Sequence, residues 1–599
     1  MRIVRLYTNH PDLFEPIEFR PGVNAVVARI TLPENAGRTV HNLGKSTVAR
    51  LIDFCLLKGR NPKFFLFKYP DLFGDLVVYL EVELDDGRYL TVARAPHSTK
   101  PVSILVSNAD IQDATVLEAD QWNHFGLGVT PAKRLLNGLL NFSAVAPYGY
   151  RDLMGYVLRE QTDYNDVFQL QKFRGKHREW KPFLAKLLGL DASLTEELYA
   201  EIAEDERLQA EIAQYQGDVG LGNESDVGRI DGIIEIRTRD LSELTEALDR
   251  FDFALADTEA TTDLVEGVEN NLAKLNEDSY RLTQLIFRLD QSLQDEAILF
   301  SPDQAAKLFD EVGVAFKGQL KRDMDQLVSF NKAISEERRG YLEKERAQAQ
   351  TSLDAIGPRI ESLQAERTRL FGFLEESDTI AKYKEIGRRA IELRADIASL
   401  ERQRNSLLLV AERRQEQRAV QERRSHLHTA IEQDVQAQLQ DEKSRYREIR
   451  RYFDEIVHTV LGEHALLSVT VTSTGSLEFT TEIVDATGAT TSASRGFTYK
   501  KLLCIAFDLA VLRAYSGVVF PRFAFHDGVF ESLETRAKQR LIGVLRAYAS
   551  RGLQPIITTL DSDLPSPIDS RSDTLQTPEV VLTLTDAGDQ GRLFKTRSF

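Results

Sequence analysis

The chain has 599 residues, of which 42% are hydrophobic and 28% charged, and a net charge of −17. That length allows roughly three or four ordinary domains. No apolar stretch approaches the ~20 residues a membrane-spanning helix requires, so a protein outside the membrane is expected. Cys55 and Cys504 are the only cysteines. Both lie among apolar neighbours, which fits buried free thiols in a reducing cytoplasm rather than a disulfide framework. The opening Met1-Arg2-Ile3-Val4-Arg5-Leu6-Tyr7 lacks the apolar core of a signal peptide and reads as a first strand. The charge is unevenly spread: residues 1–190 carry roughly +4, residues 457–599 about −1, and the middle about −20. The two ends are thus free to carry basic patches.

The first motif follows an apolar run. Val23-Asn24-Ala25-Val26-Val27 reads as a buried strand, and Val48-Ala49-Arg50-Leu51-Ile52-Asp53-Phe54 continues at helical spacing. Between them lies His41-Asn42-Leu43-Gly44-Lys45-Ser46-Thr47. Strand, loop and helix opening on Gly-Lys-Ser is the context of a phosphate-binding loop. Its backbone N–H groups and the helix N-terminus would cradle phosphates, Lys45 would reach the β/γ-phosphates, and Ser46 would hold a magnesium ion. The loop departs from the usual pattern, because Thr39 stands where the first glycine is expected.

The middle of the chain, about 192–455, is a different kind of sequence. It is dense in Glu, Arg, Gln, Leu and Ala, and its only prolines are Pro302 and Pro358. Ile386, Ala390, Leu393, Ile397, Leu400 and Leu407 fall on alternating three- and four-residue steps interrupted only by Arg404, and Leu275, Leu282, Ile286, Leu289 and Leu293 repeat the pattern with Ser279 filling a seam position. This heptad spacing with charged flanks predicts a coiled coil. Two arms of comparable length, joined at a tip near 300–330, predict one antiparallel hairpin, interrupted on its ascending side around Gly217–Gly228. A solvated helical bundle would show similar alternating charges.

An antiparallel coil returns the chain to its start, so the C-terminal segment should complete a nucleotide site. Val518-Val519-Phe520-Pro521-Arg522-Phe523-Ala524-Phe525-His526-Asp527 is an apolar run ending in an acid, the form of a Walker B strand. Leu533-Glu534 follows at about the spacing of a D-loop. Upstream, Ser494-Arg495-Gly496-Phe497 opens an apolar helix through Ala510, where a signature motif would lie.

With these motifs in this order, the chain resembles the SMC-like ATPases: the SMC proteins, RecN and the zinc-hook repair ATPase. It is more closely similar to the SMC-like branch of bacterial ABC-three-component gene clusters, through Phe19-Arg20-Pro21-Gly22-Val23-Asn24 and through Phe330-Asn331-Lys332 to Glu337-Arg338-Arg339-Gly340-Tyr341-Leu342. The resemblance implies an α/β fold: a split ABC-type P-loop ATPase head with a long antiparallel coiled-coil hairpin inserted. Residues 1–190 would form the N-terminal lobe, 191–456 the arm and 457–599 the C-terminal lobe. ATP and Mg²⁺ would be the cofactors, with Asn42, Leu43, Gly44, Lys45, Ser46, Thr47 and Gly496 binding nucleotide. Ser46, Gln161 and Asp527 would attend the metal, Gln161 as the Q-loop residue. The glutamate that polarises water in related ATPases is replaced by Gly528, so Asp527, Glu531 or Glu534 must substitute, or hydrolysis is slow. The switch histidine is also missing, since Pro555-Ile556-Ile557-Thr558-Thr559-Leu560 runs into Asp561.

The resemblance further implies pairing of two heads across nucleotide. With no Cys-X-X-Cys at the tip, a zinc hook is excluded. A transporter subunit fits poorly, because such subunits lack a ~260-residue coil between their motifs. Two readings remain. One is a DNA-associated ATPase in genome maintenance or anti-phage defence, binding DNA without sequence preference through Lys172, Arg174, Lys176, Arg178, Lys181 and Lys186. The other is a nucleotide-gated scaffold with weak ATPase activity that regulates a partner effector such as a nuclease.

Overall fold

A computed structural model of the chain describes residues 1–31, 43–219, 227–249, 258–295, 318–371, 378–485, 497–565 and 574–596. The chain divides into two units, Met1–Ala203 with Glu422–Phe599, and Glu204–Gln421.

The first unit contains three sheets. The largest is antiparallel, in the order β2-β1-β4-β5-β6-β7. Its strands are β1 (Arg2–Thr8), β2 (Ile17–Glu18), β4 (Val78–Glu83), β5 (Tyr89–Arg94), β6 (Val102–Ser107) and β7 (His124–Leu127). A second sheet runs β13-β3-β12-β11-β8, and every pair in it is parallel. It takes β3 (Asn24–Arg29) and β8 (Leu158–Arg159) from the first part of the chain. It takes β11 (Phe523–His526), β12 (Gln554–Leu560) and β13 (Val580–Thr585) from the last. The expected first strand, the strand ahead of the loop and the acid-ending strand are all present. A two-stranded hairpin, β9 (His464–Val471) and β10 (Leu477–Val484), forms the third sheet.

Strands β3, β11 and β12 are buried on both faces because helices cover them, as parallel sheets require. The helices of the first part are α1 (Lys45–Cys55), α2 (Phe65–Lys68), α3 (Pro70–Phe73), α4 (Val129–Leu140), α5 (Tyr150–Val157) and α6 (His177–Leu187). A single apolar core joins them to residues of the C-terminal segment. Cys55 and Cys504 are buried free thiols within it.

The arm helices are α7 (Ala192–Val219), α8 (Val227–Asp249), α9 (Thr258–Asp295), α10 (Gly318–Phe371) and α11 (Asp378–Gln440). They are long, as the heptads predict, yet in the second unit they do not pair as one two-armed hairpin. Arg413 on α11 pairs with Glu211 on α7 at 3.1 Å, and Arg404 with Asp231 on α8 at 3.2 Å, so these run antiparallel. Arg367 on α10 pairs with Glu269 on α9 at 2.9 Å, and Arg346 with Asp290 at 2.5 Å, a second antiparallel pair. Arg402 of α11 also reaches Glu277 of α9 at 3.4 Å. The α9–α10 pair therefore folds back alongside α11. The physical reason is a stripe wider than a coiled-coil seam: Ile391 is buried beside Ala390 and Leu393, and Val410 beside Leu407. The expected tip near 300–330 is corrected in part, since α10 is helical from Gly318 and residues 301–317 lie outside the described ones.

After the arm come α12 (Arg445–Leu461), α13 (Phe497–Ala514) and α14 (Thr535–Ala549). Ser444 caps α12 by accepting from the Arg447 N–H at 3.2 Å. Among the described residues, no helix is long and apolar enough to cross a membrane.

Candidate nucleotide site

Strand β3 leads toward Leu43 and Gly44, which begin the described part of the loop; Asn42 lies outside the described residues. Gly44 has φ 100°, a left-handed conformation suited to glycine, and Lys45 is the first residue of α1. A side chain at Gly44 would meet the Leu593 Cβ at 2.7 Å. Among the described residues, no side chain caps the first turn of α1. Thr47 N–H is turned back to the Gly44 carbonyl at 3.0 Å.

Because β3, β12, β11 and β8 are parallel, their carboxyl ends open on one edge, where open α/β sheets place ligands. Asp527 leaves the end of β11 there, with its N–H on the Arg159 carbonyl of β8 at 3.2 Å. The Asp527 side chain is fully buried. The Ser46 hydroxyl donates to its Oδ2 at 2.5 Å, and the Thr558 hydroxyl donates to Oδ1. Thr558 Oγ1 in turn accepts from the Gly528 N–H at 2.9 Å. Both carboxylate oxygens are thereby fixed.

Lys45 is buried beside this acid. Desolvation lowers its pKa, and the charges of Asp527, Glu531 and Asp563 work against that shift. A lysine held in this way gains most when a polyanion arrives.

The third group is the carboxylate of Glu531. Gln161 Nε2 donates to its Oε1 at 3.2 Å and Lys501 Nζ donates to Oε2 at 3.0 Å. Lys501 also donates to the Gly528 carbonyl at 2.8 Å. Glu534 is not brought in: it is exposed and precedes α14 without a side-chain cap. Gly496 lies outside the described residues, though α13, which it was expected to open, begins at Phe497.

Three contributions went unread in the sequence. Lys501 stands between Lys500 and Leu502 and shows only as a basic residue entering an apolar helix. Thr558 sits inside a strand noticed for its missing histidine. The third is a buried network behind Asp527, where the Arg159 guanidinium grips Asp508 at 2.7 and 2.9 Å and His526 Nε2 meets the same acid at 3.0 Å.

The donor set fits nucleotide and magnesium. Among the described residues, no group of three or more His, Cys, Asp or Glu could form a metal cage. Magnesium needs none, since it is bound through one or two protein oxygens, waters and substrate phosphates. Ser46 Oγ and Asp527 Oδ2 are the oxygens that would serve as that pair. Of the expected basic face, Lys172, Arg174, Lys176 and Arg178 are exposed, with Lys176 paired to Glu179 at 3.1 Å. Lys181 and Lys186 are half-buried, and Lys181 donates to the Leu477 carbonyl at 2.6 Å.

Residues 456–598 match the model of a family described as an uncharacterised protein conserved in bacteria (DUF2326). No curated protein matches the chain. Among solved structures, a Smc head domain with a coiled coil and joint from Pyrococcus yayanosii is similar at 16% identity. It covers 93% of this chain and 92% of its own, with a TM-score of 0.33. A Smc head domain with an extended coiled coil from Pyrococcus furiosus, bound to the C-terminal domain of ScpA, is similar at 13% identity. Its coverage is 94% and 90%, with a TM-score of 0.32. The geometry around Ser46, Asp527 and Glu531 carries the functional reading without them.

Proposed function

We propose that the chain binds Mg-ATP between Lys45, Ser46 and Asp527 and acts as a nucleotide-gated scaffold with slow ATPase activity. The observation that supports this most is the 2.5 Å bond between Ser46 and Asp527, because it joins the two magnesium-attending oxygens of a P-loop site. In this reading residues 1–190 and 457–599 are the two lobes of one SMC-like head, and 191–456 is its arm. Lys45 neutralises β/γ-phosphate charge, the start of α1 offers N–H groups to the phosphates, and Gln161 faces the attacking water. Ser46 and Asp527 would hold magnesium, whose charge would offset that developing on the phosphates. Two heads pair across nucleotide, with the segment around Gly496 against the partner's phosphate, and the arm relays that state to an effector protein. Gly528, next to the acid, supports slow turnover, well below the ~10 s⁻¹ of a typical enzyme.

The exposed Arg174 and Arg178 favour a second reading in which the paired heads contact DNA phosphates. ATP binding and turnover, measured with and without DNA at low salt, separate the two. Turnover that rises with DNA supports the second reading. Slow turnover indifferent to DNA supports the scaffold. Failure to bind ATP in the presence of magnesium overturns both.

A further inference from the structure

Gly528 has φ +67°, the left-handed region that disfavours side chains. A Cβ built there would lie 2.8 Å from Glu531 Oε1 and 3.0 Å from Oε2. The Glu531 carboxylate thus occupies the space into which a side chain following the buried acid would project. The loop is shaped to put it there. The Glu531 N–H reaches back to the Gly528 carbonyl at 3.4 Å, and Ser532, not a glycine, takes φ 66° immediately afterwards. Left-handed backbone at a non-glycine residue is disfavoured and persists where surrounding structure enforces it.

We propose that Glu531 is the general base of the ATPase, displaced by three residues from the position beside Asp527, and that Lys501 is its positioning residue. This rests on the Mg-ATP reading above. Asp527 is the poorer candidate, since its side chain is fully buried and without access to water. Glu531 keeps 30% of its side chain exposed and so has access to water, while Lys501 is 2% exposed and anchored on α13. Gln161 and Lys501 each hold one carboxylate oxygen, which fixes the plane of the group. In the step, a water oxygen bonds to the γ-phosphorus while its proton passes to a Glu531 oxygen. The bond from that phosphorus to the β,γ-bridging oxygen breaks, ADP leaves with that electron pair, and Glu531 returns its proton to solvent.

Lys501 also ties the base to the helix that follows residue 496.

The test compares wild type, Glu531→Gln, Glu534→Gln, Lys501→Met and Lys501→Arg as full chains. Affinity for a fluorescent ATP analogue and single-turnover hydrolysis of Mg-ATP are both read. General-base loss costs about 10²–10⁴ in rate, so Glu531→Gln should lower hydrolysis at least about 100-fold with affinity kept within about threefold. Lys501→Met should lower the rate about tenfold at unchanged affinity, and Lys501→Arg, which keeps the cation, should recover most of it. Hydrolysis equal to wild type in Glu531→Gln, or a fall confined to Glu534→Gln, overturns the assignment while leaving nucleotide binding intact. Unchanged hydrolysis in Lys501→Met overturns the positioning role. Wild type that binds nucleotide without hydrolysing it overturns the base but not the scaffold. Absence of binding in wild type overturns the underlying reading instead.

Discussion

The Ser46 hydroxyl donates a 2.5 Å hydrogen bond to Oδ2 of Asp527, 481 residues further along the chain. The contact exists because β3 and β11 both flank β12 in one parallel sheet. Phe525 lies opposite Ile556, which itself lies opposite Asn24, so the strands that precede the loop and the acid end at a common edge. Neither end of the chain can build this site alone. The long helical insertion separates its parts in sequence, and the sheet joins them in space.

Behind the site, Arg159 and Asp508 form an ion pair in which both side chains are fully buried. Burial works to lower the guanidinium pKa, but the charge and hydrogen bonds of Asp508 raise it instead, and the Val167 carbonyl accepts from the same group at 2.6 Å. Removing one partner of a buried pair strands the other, at about 3–5 kcal/mol. Arg159→Met should therefore lower the melting temperature by of the order of 10 °C and weaken nucleotide binding, because the Arg159 carbonyl positions the Asp527 N–H. Thermal unfolding followed by circular dichroism checks this. A melting temperature within about 2 °C of wild type would mean the pair is dispensable.

Glu81, inside the large antiparallel sheet, gives a pH signature. Burial pushes its pKa up from 4.5 to about 7, and the neighbouring Asp110 adds to that shift. The Arg5 guanidinium 3.3 Å away pulls in the opposite direction without reversing it. A carboxyl with a raised folded-state pKa binds more protons folded than unfolded, so it favours the folded state at low pH. That contribution is lost as pH rises from about 4.5 to about 7, at most about 1.4 kcal/mol per pKa unit. Urea unfolding across this window should show wild type losing stability relative to Glu81→Gln, by up to about 3 kcal/mol. Parallel pH curves for the two proteins would contradict the assignment.

The strand ahead of Gly44, the helix opening at Lys45 and the acid-ending strand were legible because each is a local pattern: an apolar run, a turn and a charged residue of fixed type. Lys501 and Thr558 were not, because what matters about them is the direction of one side chain across the sheet edge, which no periodicity encodes. Glu531 fell between these cases. The sequence placed three carboxylates near the turn, and the left-handed backbone at Gly528 and Ser532 decides which one points inward. The arm shows a similar limit. Heptad spacing identifies an apolar face but does not say how many neighbours that face will bury, and Ile391 widened it enough for two.

The folded-back arm can be measured directly. With Cys55 and Cys504 replaced, spin labels at residues 277 and 402 should be a short distance apart, since Glu277 and Arg402 meet at 3.4 Å. In a simple hairpin turning near 300–330, residue 402 lies tens of residues beyond the partner of 277, or roughly 60 Å away at ~1.5 Å per residue. Pulsed electron resonance distinguishes the two arrangements. A distance distribution centred beyond about 50 Å would restore the two-armed hairpin.

The central claim is that the loop ending in Lys45 and Ser46 binds Mg-ATP against Asp527. Calorimetric titration of the full chain with ATP in magnesium, beside Lys45→Ala, tests it most directly. Lys45 supplies the point charge on the β/γ-phosphates, so wild type should show saturable, magnesium-dependent binding and the variant none, with both proteins equally folded. Equal ATP affinity in wild type and Lys45→Ala would contradict the account.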